Sequence, residues 1–130
     1  MTSTTSLPSM QDLPVHLVEH GDFTEVVVTR DARVEDYNAA TEALVERHGL
    51  NCVRLWCLPP DLPLDGPDLA SIARHSVSLG LKGRAAIVAP SDLAYGLARV
   101  HVAHREASET LRVFRNRTDA LTWLFGPAPS

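Results

Sequence analysis

The sequence is nearly without lysine. Lys82 is the only one, and the other eleven of its twelve basic side chains are arginines. Those arginines are dispersed, so the bias reads as codon usage ahead of function. Twelve bases against sixteen acids leave a formal charge of −4, which excludes a general electrostatic drive toward nucleic acid or an anionic membrane. Aromatic residues are also scarce, at 5%. Arg112, Arg115 and Arg117 therefore lack the interleaved rings of a nucleic-acid stacking platform. No apolar run approaches the length that crosses a bilayer. The expectation is no nucleic-acid partner and no membrane insertion. Only two cysteines occur, Cys52 and Cys57, within one predicted strand. Their odd separation turns them to opposite faces, so they cannot pair with each other. Free thiols suit a reducing compartment. The stretch MTSTTSLPSMQDLP has neither the basic nor the apolar region of a secretory signal, and a cytoplasmic location is expected.

What is present is the material of one domain. A chain of 130 residues is long enough to bury a core without staples. Residues 1–13, rich in Ser, Thr and Pro, read as a tail, 14–125 as the domain and 126–130 as a frayed end. VHLVEHGDFTEVVVTR has the valines and the Gly-Asp turn of a β-hairpin. Asp31 opens a predicted helix running to about His48, with Val34, Tyr37, Ala40, Leu44 and His48 on one face and Gly49 as its stop. NCVRLWCL is a third strand. A helix then starts near Pro67-Asp68, buries Leu69, Ile72, Ala73 and Ser76, and ends at Gly80. RAAIVA (84–89) is apolar throughout, as suits a strand covered on both faces. A long helix is predicted from Leu93 to Thr110, then the strand LRVFR, then a last helix capped by Asn116 or Thr118. The order ββαβαβαβα is α/β: an N-terminal β-hairpin followed by βα units, the later strands parallel.

On IVAPSDLAYGLARV (87–100) and VFRNRTDALTWL (113–124) the chain resembles the SpoIIAA-like, or STAS/SEC14-like, domains of bacteria. The likeness spans about residues 14–125. It implies a mixed five-stranded sheet with about four helices, no cofactor and no enzymatic activity. Anti-sigma-factor antagonists of the wider STAS fold carry an Asp-Ser-Ser/Thr-Gly phosphorylation motif where the third strand meets the next helix. Here that place reads Asp65-Gly66-Pro67-Asp68-Leu69, without a phosphoacceptor Ser or Thr. Ser71 falls inside the helix.

Candidate chemistry is thin. The GRAAIVAPSDLAYG stretch is no Walker loop, because no Gly-Lys-Ser/Thr follows the strand. Ser91 or Asp92 reads instead as a helix N-cap. Asp61, Asp65, Asp68 and Asp92 could meet at the carboxyl edge of the sheet and hold Mg²⁺, yet loop and cap positions select Asp for structural reasons. His101 and His104 stand one turn apart without a third ligand. Projection along the helix places His104 with Leu93, Leu97 and Val100 on the buried stripe, and Gly96 on its flank against a neighbouring element. Tyr95, Arg99, Val102 and Glu106 fall on the opposite face as a contact patch. Trp123 reads as a core anchor. No nucleophile–base pair can be assembled.

The expectation is a non-enzymatic regulatory or protein-interaction domain, with a protein partner or a second copy as its target. Its contact residues are predicted among Asp65, Asp68, Ser91, Asp92, Tyr95 and Arg99. The alternative is a small-ligand or lipid-binding module, with an apolar cavity between helices and sheet and Trp56 or Tyr95 at its mouth.

Overall fold

The computed structural model describes residues 14–105 and 110–126. Its elements are β1 (Val15–Glu19), β2 (Thr24–Val28), α1 (Val34–His48), β3 (Arg54–Cys57), α2 (Gly66–Leu79), β4 (Ala85–Val88), α3 (Asp92–Arg105), β5 (Leu111–Phe114) and α4 (Arg117–Phe125). The strands form one sheet in the order β1-β2-β3-β4-β5. The β1–β2 hairpin is antiparallel and the remaining pairs are parallel. This is the α/β architecture expected from the sequence: a hairpin, then βα units, with five strands and four helices.

Period-two alternation sets the two faces of the sheet. Val26 and Val28 of β2 turn to one face, where they pack with Tyr37, Ala40 and Leu44 of α1 and with Ile72 of α2. Ala85 and Ile87 of β4 and Leu111 of β5 meet Ala94 and Ala98 of α3 there, and Trp56 touches both groups. The three crossover helices thus share one face. Leu55, Ala86 and Val88 turn to the other face and pack beneath Ala120 and Leu124 of α4. Strand β4 is buried at every position, in keeping with its unbroken apolar sequence. Cys52 lies with the first group and Cys57 with the α4 group, on opposite faces as their spacing requires.

The helix ends follow local chemistry. Asp65 caps α2: its Oδ1 accepts the Asp68 N–H at 2.9 Å, and Asp68 accepts the Asp65 N–H at 3.1 Å, a reciprocal capping arrangement. Ser91 caps α3, its Oγ accepting the Ala94 N–H at 3.0 Å and donating to Pro60 O at 2.6 Å. Asn116 caps α4. Helix α1 starts at Val34, later than the predicted Asp31, because Ala32 is buried in the turn and Asp36 accepts the Arg33 N–H at 2.8 Å. Helix α3 is described through Arg105, and residues 106–109, Glu106 among them, lie outside the described residues. The predicted tail, and the end beyond Gly126, lie outside them too.

Helix α3 is rotated from its predicted orientation. Ala94 and Ala98 form its innermost line, at 0% and 2% exposure, while Leu93 and Val100 stand out at 55% and 41%. His104 is exposed and His101 half-buried. Tyr95 and Val102, expected outside, pack against the β4–β5 cluster. Ala94 and Ala98 pack with the small Ala85 and Ala89. Leu97 of the predicted stripe is half-buried and packs against the first group, so hydrophobicity alone misplaces Leu93 and Val100 but not Leu97. Gly96 is exposed, and a Cβ added there meets nothing within 4 Å. No neighbour requires a glycine at that position.

Candidate functional site

Residues 54, 56 and 58 leave β3 on the helix-covered face, since alternate strand positions share a face. Arg54, Trp56 and Leu58 accordingly line one cavity, roofed by Tyr37 and Thr41 of α1, Ile72 and Ser76 of α2, and Ala98 and His101 of α3. Its volume is about 60 Å³, and its wall is mostly apolar. Two small residues, Ala98 and Ser76, occupy helix positions where a larger side chain would fill the space.

Four polar side chains on this wall, Arg54, Tyr37, Thr41 and Ser76, are held out of water. Arg54 is 2% exposed. Its Nη1 donates to Cys52 O at 2.8 Å and Gly83 O at 3.4 Å, and no carboxylate among the described residues pairs with it. Burial pulls its pKa down from the ordinary arginine value, partly opposed by Cys52. Tyr37 is 5% exposed, stacks on Trp56 with centroids 5.9 Å apart, and has a hydroxyl without a hydrogen-bond partner among the described residues. Burial, helped by nearby Asp36, raises its phenol well above the ordinary value, so it stays a neutral donor. Thr41 spends its hydroxyl on Tyr37 O at 3.0 Å. His101 Nδ1 lies 3.5 Å from Leu69 O.

None of the predicted contact residues lines this cavity; they fall into an Asp65–Asp68 pair and a group on α3 in which Arg115 joins Asp92 to Tyr95. Asp65 and Asp68 are occupied in capping α2, and Ser91 caps α3. Asp92 pairs with Arg115 at 3.0 Å, and Asp61 pairs with Arg30 at 3.5 Å. Tyr95 lies half-buried under Arg115, whose guanidinium carbon is 5.3 Å from its ring centroid. Arg99 is exposed. Asp68 alone lines a second, mostly polar groove, shared with Arg30, Asp31, Arg33 and Glu35 after the carboxyl ends of β2 and β3. No group of three or more His, Cys, Asp or Glu side chains among the described residues is placed to hold a metal ion.

On the α4 face, Glu25 accepts hydrogen bonds from Arg117 at 3.1 and 3.4 Å, lies 3.3 Å from Cys57 Sγ and 2.8 Å from His20 Nε2. Burial pushes the Cys57 thiol up to about 12, with the Glu25 contact adding to the shift. Such a thiol is protonated and inert at neutral pH. This cluster joins β2, β3 and α4 and is structural. Trp123, read as a core anchor, is half-buried, with Arg84 stacked 4.2 Å from its ring centroid.

Sequence reasoning passed over Tyr37, Arg54, Ser76 and His101 as parts of one site. One signal for Arg54 was visible: an arginine in the middle of the otherwise apolar strand NCVRLWCL. Trp56 was named for the mouth of a cavity and lines one, whereas Tyr95 does not. No protein-family model, curated protein or solved structure gives a significant match to this chain. No helix among the described residues is long and apolar enough to cross a membrane.

Proposed function

We propose that this domain is a binding module for a small, mainly apolar molecule seated between α1–α3 and β3–β5. The observation that carries the reading is the cavity itself. It is an apolar space with a few convergent polar groups, which is how small-molecule sites are built. The Tyr37 hydroxyl supports it further, because a buried donor without a partner is costly unless something else satisfies it. Binding without turnover is the reading, since Arg54 and the high-pKa Tyr37 are groups that hold and orient a ligand. Neither titrates near neutral pH as an acid–base catalyst does. A cytoplasmic, STAS/SpoIIAA-like domain remains our family proposal. The hairpin, the mixed sheet and the four helices support it.

Xenon, which enters apolar cavities, tests the site without presuming a polar head. Under xenon pressure the methyl resonances of Ile72, Ile87 and Leu111, which line the cavity, are expected to shift. Ala98→Leu fills the cavity and is expected to abolish those shifts while leaving a cooperative melt. Equal shifts in both proteins would place xenon elsewhere and defeat the proposal.

A protein-interaction surface is the second reading, favoured by Leu93 and Val100 exposed on the outer side of α3. Under that reading Leu93→Glu weakens association with a partner and leaves the xenon shifts intact.

A further inference from the structure

We propose, resting on the cavity being a ligand site, that its ligand is a monocarboxylate of only a few heavy atoms, whose carboxylate is held by Arg54 and Tyr37. The structure leaves a charge to be answered. Arg54 is 2% exposed and its described hydrogen bonds all leave from Nη1, to Cys52 O, Gly83 O and, at 3.8 Å, Cys52 Sγ. A guanidinium carries five N–H donors in a planar fork. Those on Nη2 and Nε have no partner among the described residues.

Asp36, the acid beside Tyr37, accepts the Arg33 N–H, and the ion-paired acids among the described residues are engaged with other bases. Glu19 pairs with Arg47 and His48, Glu25 with His20 and Arg117, Glu42 with His75, Asp61 with Arg30 and Asp92 with Arg115. Buried charges in native proteins are ordinarily paired, and the planar fork of arginine matches a carboxylate in particular. The Tyr37 hydroxyl is a second orphan donor, 95% buried with its ring, on the same wall. A neutral acceptor would satisfy the hydroxyl but leave the guanidinium charge unanswered. A carboxylate answers both.

Size narrows the class. A cavity of about 60 Å³ is less than half the roughly 150 Å³ at which an apolar cavity accepts benzene. It admits a ligand of only a few heavy atoms, of the size of acetate. A lipid chain, a nucleotide or an aromatic acid does not fit such a space. The near-parallel rings of Tyr37 and Trp56, 8° apart, give the wall a flat section for a planar carboxylate.

A purely structural role for Arg54 is the competing account: Nη1 ties the Cys52 carbonyl to the Gly83 carbonyl at the start of β4. That role predicts no preference for charge in the ligand. Isothermal titration of the full chain at pH 7 with acetate, acetamide and acetone separates the two. Acetate is expected to bind at least tenfold more tightly than either neutral analogue. Arg54→Met is expected to abolish that preference, and Arg54→Lys to keep part of it. Should Arg54→Met fail to fold, the wild-type ratio and the lysine variant decide. Equal binding of acetate and acetamide would overturn the carboxylate inference and leave the cavity as a neutral-ligand site. No binding of any of the three, with no xenon shift, would overturn both.

Discussion

Glycine shows how differently one residue type behaves at two positions of this fold. At Gly83 a Cβ would lie 2.2 Å from Cys52 O and 2.4 Å from Asn51 O, both backbone atoms that cannot yield cheaply. At Gly96, inside α3, it would meet nothing, and alanine is favoured over glycine in a helix interior by about 1 kcal/mol. Gly96→Ala is therefore expected to raise stability by up to about 1 kcal/mol, and Gly83→Ala to lower it by several times that, as urea melts will show. The α3 glycine looked in sequence like a close-packing device because Leu93, Leu97 and Val100 drew the buried stripe beside it. Alanines 94 and 98 hold its centre, with Leu97 half-buried beside them. Residue size at a contact is set by distances between elements, and a single sequence does not state those distances. Arg54 is the converse case. A charge in an apolar strand is visible in the sequence, but its burial beside an unpartnered tyrosine hydroxyl is visible only in three dimensions.

Elements of this fold were largely legible because their ends carry strong local chemistry. The Asp65–Asp68 cap, the Ser91 cap, the Asn116 cap and the Gly21 turn each satisfy backbone donors or a positive φ in ways the residue types announce. What held α4 in place was not legible. Its first residue, Arg117, reaches Glu25 on β2 across 92 positions of sequence. Burial works to raise the Glu25 pKa, but the hydrogen bonds from Arg117, Cys57 and His20 together outweigh it and leave the carboxyl below its ordinary 4.5. A folded-state pKa below the unfolded value contributes stability above pH 4.5, lost as pH falls through the folded value. Thermal melts from pH 6 down to pH 3 are therefore expected to show a steeper acid-side loss in the wild type than in Glu25→Gln. Near pH 6 the variant is expected to melt a few degrees lower. Parallel curves would remove Glu25 as the clasp of α4.

At the scale of the whole molecule, three crossover helices on one sheet face and a single short helix on the other give two unequal layers. The heavier layer holds the cavity, because α1, α2 and α3 converge over β3 and β4 with Ser76 and Ala98 where larger residues would close the gap. The predicted site residues cluster at loop ends, where Asp and Ser are chosen for capping. The interior site is instead assembled from residues that each read alone as core: Tyr37, Trp56, Ile72 and His101. The central claim is that this interior space, and not the exposed side of α3, receives the ligand. Intermolecular NOEs between bound acetate and the assigned full-length protein test it most directly. The account predicts contacts from the ligand's methyl protons to the methyls of Ile72, Ile87 and Leu111. Contacts confined to Leu93 and Val100 would contradict it.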